Sequence, residues 1–145
     1  MAFSRSGQAL RKFFHALSLW AKHQDLTQSR KQTFIENLSA DVPINGTYDL
    51  FTFIVPSKSK FRLVSFGNYT DSYSAWGTIF WSFYLNDTLI YPYEKILDQI
   101  GTGAHRQPIQ PVEVFGGSTF KIQASNPTSA IVAMGVSLRW ELYFQ

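Results

Sequence analysis

Two periodicities divide this chain. From residue 45 onward, apolar side chains recur at every second position in short runs closed by turn residues, as in strands, whereas ahead of them they recur every third or fourth residue, as in a helix. Asn45-Gly46 opens the first run, TYDLFTFIV, where Tyr48, Leu50, Thr52 and Ile54 alternate with Asp49, Phe51, Phe53 and Val55. Both sets are largely apolar, so the run reads as a strand apolar on both sides, and Pro56 ends it. FRLVSF is a second strand, the polar run from Gly67-Asn68 to Ser74 a loop, and WGTIFWSFYL from Trp76 a long third strand. In that strand Ile79, Trp81 and Phe83 share one face, and Phe80, Ser82 and Tyr84 share the other.

Asn86-Asp87 is a turn into TLIYP, residues 94–100 are short helical or irregular, and residues 101–107 are a loop. PIQPVEVF and STFKIQA flank Gly116-Gly117-Ser118 and are expected to pair with each other through a tight turn, with positive φ at one of the two glycines. Asn126-Pro127-Thr128-Ser129 turns the chain into a last strand over 130–143, where Gly135 marks a bulge or a close backbone contact. Seven or eight strands with turns about every ten residues predict a mainly β fold, an antiparallel β-sandwich or jelly roll, over residues 41–145.

Ahead of it, Ser4 or Ser6 can cap a helix in which Leu10, Phe13, Phe14, Leu17, Trp20 and Ala21 form an apolar stripe. Within residues 27–40, TFIENL can extend a helix or form a first strand; the segment is read as helix or connector, so residues 1–40 are expected to be an amphipathic α-helical arm. Charge separates the same two parts. Residues 1–32 hold Arg5, Arg11, Lys12, Lys22, Arg30 and Lys31 against Asp25 alone, while the rest of the chain holds seven basic and nine acidic groups. The net charge of +3 therefore belongs to the arm. A basic arm on a near-neutral body suits docking. Phe13, Phe14, Leu17 and Trp20 are expected to insert into an apolar groove, with Arg11, Lys12 and Lys22 facing acidic protein; nucleic acid or membrane contact by the arm is the less favoured expectation.

The arm's acid-free start resembles a transit peptide in composition, but the run FFHALSLWA is broken by His15 and followed by Lys22. It makes a poor secretory core and is too short to span a bilayer. The chain has no cysteine, which excludes disulfides and thiolate chemistry. The three histidines, His15, His23 and His105, show no metal-ligand or catalytic spacing, so no cofactor, metal or enzymatic activity is expected. His105-Arg106 can contact a partner or a phosphate from its loop. Glu113 and Glu141 are the one carboxylate pair worth inspecting for glycosidase geometry. Aromatic residues make up 17% of the chain, and this draws attention to two surfaces. Trp76, Trp81, Tyr91 and Tyr93 are candidates for a ligand-stacking platform, and the outward rings Phe80 and Tyr84 for a subunit interface.

The segment PVEVFGGSTFKIQASNPTSAIVAMGVSLRWEL is similar to small jelly-roll structural proteins of tailed bacteriophage particles, in which a Gly-Gly-Ser turn and an Asn-Pro-Thr-Ser turn lead into a long closing strand. The resemblance extends as a pattern over about 95 residues and implies a non-enzymatic virion component: a head decoration or minor capsid protein, or a tail or fibre adaptor. Its partners are then copies of itself, a homotrimer being the expectation, and other virion structural proteins. The resemblance further implies a protein made in the host cytoplasm that resides in the virion. Two other classes remain: a carbohydrate- or receptor-binding β-sandwich module, and a membrane-surface protein held by its cationic helix.

Overall fold

The computed structural model describes residues 30–144. Eight strands follow in chain order: β1 (Arg30–Val42), β2 (Gly46–Ile54), β3 (Ser59–Thr70), β4 (Phe80–Leu85), β5 (Thr88–Leu89), β6 (Gln107–Phe115), β7 (Thr119–Asn126) and β8 (Val132–Phe144). They form two four-stranded sheets, a first of order β1-β8-β3-β6 and a second of order β2-β7-β4-β5, which together make a β-sandwich. The pairs nest: β4 with β5, β3 with β6, β2 with β7, β1 with β8. Every connection except the Asn86-Asp87 turn between β4 and β5 therefore crosses from one sheet to the other. That turn is tight, with both residues at positive φ. Residues Gln32–Leu142 group into one compact unit, and the strand ends Arg30, Lys31, Tyr143 and Phe144 fall outside it.

Several expected elements change. Gly117 does adopt positive φ, +89°, and a Cβ on Gly116 would sit 2.7 Å from the Pro56 carbonyl oxygen. Yet the strands on either side do not pair with each other. β6 pairs with β3, placing Val114 opposite Phe61, and β7 pairs with β2 and β4, so the Gly-Gly turn is a crossing between sheets. β3 continues through Gly67-Asn68, where a loop was expected. The Asn68 amide donates to the Asp98 carbonyl and accepts from the Ile100 N–H, and at Gly67 a Cβ would collide with the Thr102 backbone. The following loop thus lies directly on this strand. β4 starts at Phe80, after a single 3₁₀ turn at Tyr73–Ala75, and not at Trp76.

The largest change is β1. Residues Arg30–Val42 are a strand, where a helix or connector within a 1–40 arm was expected, so the β region begins before residue 41. The alternate residues Phe34, Glu36, Leu38, Ala40 and Val42 are the less exposed set. Phe34 stacks on Trp140 at 4.3 Å between centroids, and the Glu36 carboxylate accepts a 2.8 Å hydrogen bond from Trp140 Nε1. A carboxylate at one of these positions interrupts the apolar alternation that marks the other strands.

The interior is a run of rings shared by the sheets. Phe61 and Trp140 of the first sheet meet Phe51, Phe53 and Phe120 of the second, the closest pair being Phe53 with Trp140 at 4.8 Å, and Phe66 meets Phe83 edge-on at 5.2 Å. Each such side chain contributes about 1.5–3 kcal/mol by burial, and a ring pair about 0.5–1.5 kcal/mol more. Gly135 supplies the expected close approach, but to a side chain: a Cβ there would lie 2.3 Å from the Tyr69 ring. The buried Asn126 amide donates to the carbonyls of Val42, Pro43 and Ala130 and accepts from Thr128. It thereby ties the β1–β2 turn to the β7–β8 turn.

Candidate functional site

Strand alternation sorts the rings of β4. Ile79, Trp81 and Phe83 are fully buried, while Phe80 and Tyr84 are half-buried on the outer face of the second sheet. Pairing aligns that face into rungs: Thr47, Ser125 and Phe80; Asp49, Gln123 and Ser82; Thr52, Lys121 and Tyr84. Same-face neighbours along a strand lie roughly 6.7 Å apart, so Phe80 and Tyr84 stand about 13 Å from each other at the two ends of a polar middle.

That middle is hydrogen-bonded. Gln123 Nε2 donates to Asp49 Oδ1 at 3.0 Å, and the Tyr84 hydroxyl donates to Gln123 Oε1 at 3.3 Å. Lys121 Nζ lies 3.9 Å from Asp49 Oδ1, 3.7 Å from Asp87 Oδ1 and 4.9 Å from the Tyr84 ring centroid. Lys95 Nζ lies 4.8 Å from the centroid of Phe80. Beyond Phe80 the face dips into a groove of about 240 Å³ lined by Asn45, Thr47, Phe80, Ser125, Asn126 and Pro127. The network leaves capacity unused: a second proton on the Gln123 amide, a second oxygen on Asp49, the lone pairs of Tyr84. Rings beside unspent donors and acceptors can hold a hydroxyl-bearing ligand. In the sequence, the alternation of Thr119, Lys121, Gln123 and Ser125 marks one face of β7, but only the register brings Asp49 and Tyr84 to it.

The other sequence candidates are distributed differently. Trp81 and Tyr93 are core residues, Trp76 is half-buried and stacks on Trp81 at 5.4 Å, and Tyr91 is 83% exposed. These four do not make one platform, because alternation turns Trp81 inward and the Tyr93 hydroxyl is tied by a 2.9 Å hydrogen bond to the Gln110 carbonyl. Tyr91 and Tyr93 line a small cleft of about 170 Å³ against Gln110 and Pro111. Glu113 and Glu141 do come together, but around Arg62, whose guanidinium lies 3.6 Å from one and 4.0 Å from the other. The two carboxylates thus share one guanidinium, and Lys60 Nζ lies 3.4 Å from Glu113 as well. His105 lies in an exposed loop pinned by its backbone to Thr102, and Arg106 donates to Ser137 Oγ at 2.9 Å. The arm residues Arg11, Lys12, Phe13, Phe14, Leu17, Trp20 and Lys22 lie outside the described residues.

Among the described residues, no group of three or more His, Asp or Glu side chains is placed to hold a metal ion, and no helix is long and apolar enough to cross a membrane.

No protein-family model matches the sequence, and no curated protein matches it. Among solved structures the chain is similar to the native structure of a family 35 carbohydrate binding module from Clostridium thermocellum, at 14% identity and a TM-score of 0.37, over 74% of this chain and 90% of that one. Likeness of this degree assigns neither a fold family nor a ligand.

Proposed function

We propose that this chain is a non-enzymatic, self-associating structural subunit of a virion, folded as a jelly roll. The observation that supports it is the strand order. Sheets of order β1-β8-β3-β6 and β2-β7-β4-β5, with all four pairs nested, have the order of the eight-stranded jelly roll, an architecture of capsid and lectin domains. The step from architecture to role is an analogy between folds, joined to the turn-and-strand resemblance of residues 111–142.

Self-association is better served by the end of the sandwich that Asn126 ties together than by Phe80 and Tyr84, each of which carries a lysine over its ring. At that end Ile44 is 50% exposed and Ile131 is 65% exposed, on neighbouring turns joined by the Asn45 N–H to Thr128 carbonyl bond. Apolar side chains on a shared rim suit a closed ring of subunits, and the N-terminal arm then docks on other virion proteins. Light scattering of the full chain should report a trimer or other closed multimer, and Ile44→Asp with Ile131→Asp should dissociate it. A monomeric parent, or an unchanged mass in the folded double variant, would sink this reading.

The outer face of the second sheet favours a second reading, oligosaccharide binding, because two rings there flank a hydrogen-bonded Asp49–Gln123–Tyr84 row with unused capacity. On a printed glycan array the full chain should bind at least one class. Phe80→Ala and Gln123→Ala should each weaken that binding about tenfold, the worth of one lost contact of about 1.4 kcal/mol. Binding that is absent, or indifferent to both changes in folded protein, would remove this reading.

A further inference from the structure

On the outer face of the second sheet, one of the two lysines sits in a set of opposite charges. Lys121 is held between the Asp49 and Asp87 carboxylates and also covers Tyr84, and Lys95 covers Phe80. Beside the Asp49–Gln123–Tyr84 row, then, the Lys121 ammonium is already engaged by two carboxylates, while Lys95 keeps its charge at the far, Phe80 end of the face. We infer that this face selects neutral, hydroxyl-rich oligosaccharides against acidic ones, with Asp49 and Asp87 as the specificity-determining residues; the inference rests on the oligosaccharide reading above.

The chemistry of the unused groups points the same way. A sugar hydroxyl both donates and accepts, so adjacent hydroxyls can take the free proton of the Gln123 amide and donate to the second oxygen of Asp49. The anionic group of a uronate, sialate or sulfate ester only accepts. It would meet two carboxylates and a lysine already engaged by both, and like charges brought together at a contact surface are strongly disfavoured. A partner that binds through many phosphates is disfavoured on the same ground, since such binding needs cations in excess.

The carboxylates can be neutralised without dismantling the face. Ion pairs this open to solvent hold little stability, the Asp87 side chain being 94% exposed and that of Asp49 47%. Asn at position 49 keeps an oxygen to accept from Gln123. At position 87 the backbone has φ of 66°, which Asn adopts more readily than most residues.

The test compares the full-length parent with the double variant Asp49→Asn, Asp87→Asn on a printed array carrying neutral glycans beside sialylated, uronate-bearing and sulfated ones. Matched thermal melts show that both proteins are folded. The parent should bind neutral glycans at least about tenfold more tightly than their acidic counterparts. The variant, with Lys121 released, should gain acidic-glycan binding that weakens as salt is added. A parent that binds acidic glycans as well as neutral ones overturns the inference while the oligosaccharide reading stands. So does a variant that goes on rejecting acidic glycans. A parent that binds no glycan of either kind overturns both.

Discussion

Tyr93 shows how one buried polar group sets a condition on stability. Burial pushes its phenol above the ordinary value, and its hydroxyl donates to the Gln110 carbonyl, a bond that only the protonated form makes. A raised folded-state value means that the native chain holds the proton more tightly than the unfolded chain does. Tyr93 therefore contributes fully below about pH 10, and the contribution is lost as pH rises through its raised value. Denaturant titrations from pH 8 to 12 should show a steeper alkaline loss of stability in the parent than in Tyr93→Phe. Equal slopes would show that Tyr93 is not the group responsible. Sequence alone did not expose this role, because Tyr91 and Tyr93 look alike in TLIYPYEK, and only one of them is turned into the core. A positive φ at one of Gly116 and Gly117 was legible from the turn composition, but the hairpin invoked for it was not formed, and only the structure places it at Gly117.

Among the elements, those dense in aromatic and branched apolar side chains were readable, and those whose inward positions carry polar side chains were not. β2, β4, β7 and β8 announce themselves through runs such as TYDLFTFI and FWSFYL. β1 hides because Glu36 occupies a position that alternation reserves for an apolar residue, and its reason for being there, the Trp140 indole, lies 104 residues away. The continuation of β3 through Gly67-Asn68 was hidden likewise. Both residue types favour turns, yet here one leaves room for the Thr102 backbone and the other anchors residues 98–100. A fragment beginning at residue 41 removes almost all of β1 and uncovers Trp140. Against the full chain it should lose about 3 kcal/mol or more and show red-shifted tryptophan emission. A fragment that melts with the full chain would refute β1 as an integral strand. The candidate site was half legible for a related reason: alternation put Phe80 and Tyr84 on an outer face, but it grouped Asp49 with Phe51 and Phe53, and the bulge between Asp49 and Phe51 is what separates Asp49 from them.

For the molecule as a whole, the nested pairing has a consequence in time. β8 lies between β1 and β3 in the first sheet, so that sheet cannot close until the last strand has been made. Only the β4–β5 turn joins neighbours in the chain. Every other pair closes a longer loop than the one inside it, which places this fold among those with distant contacts and slow folding. On the ribosome, β1 emerges first and waits, its Phe34 and Leu38 without their eventual cover, while more than a hundred further residues are translated. During that interval the nascent chain displays an unpaired strand edge, and other nascent copies on the same message display it too.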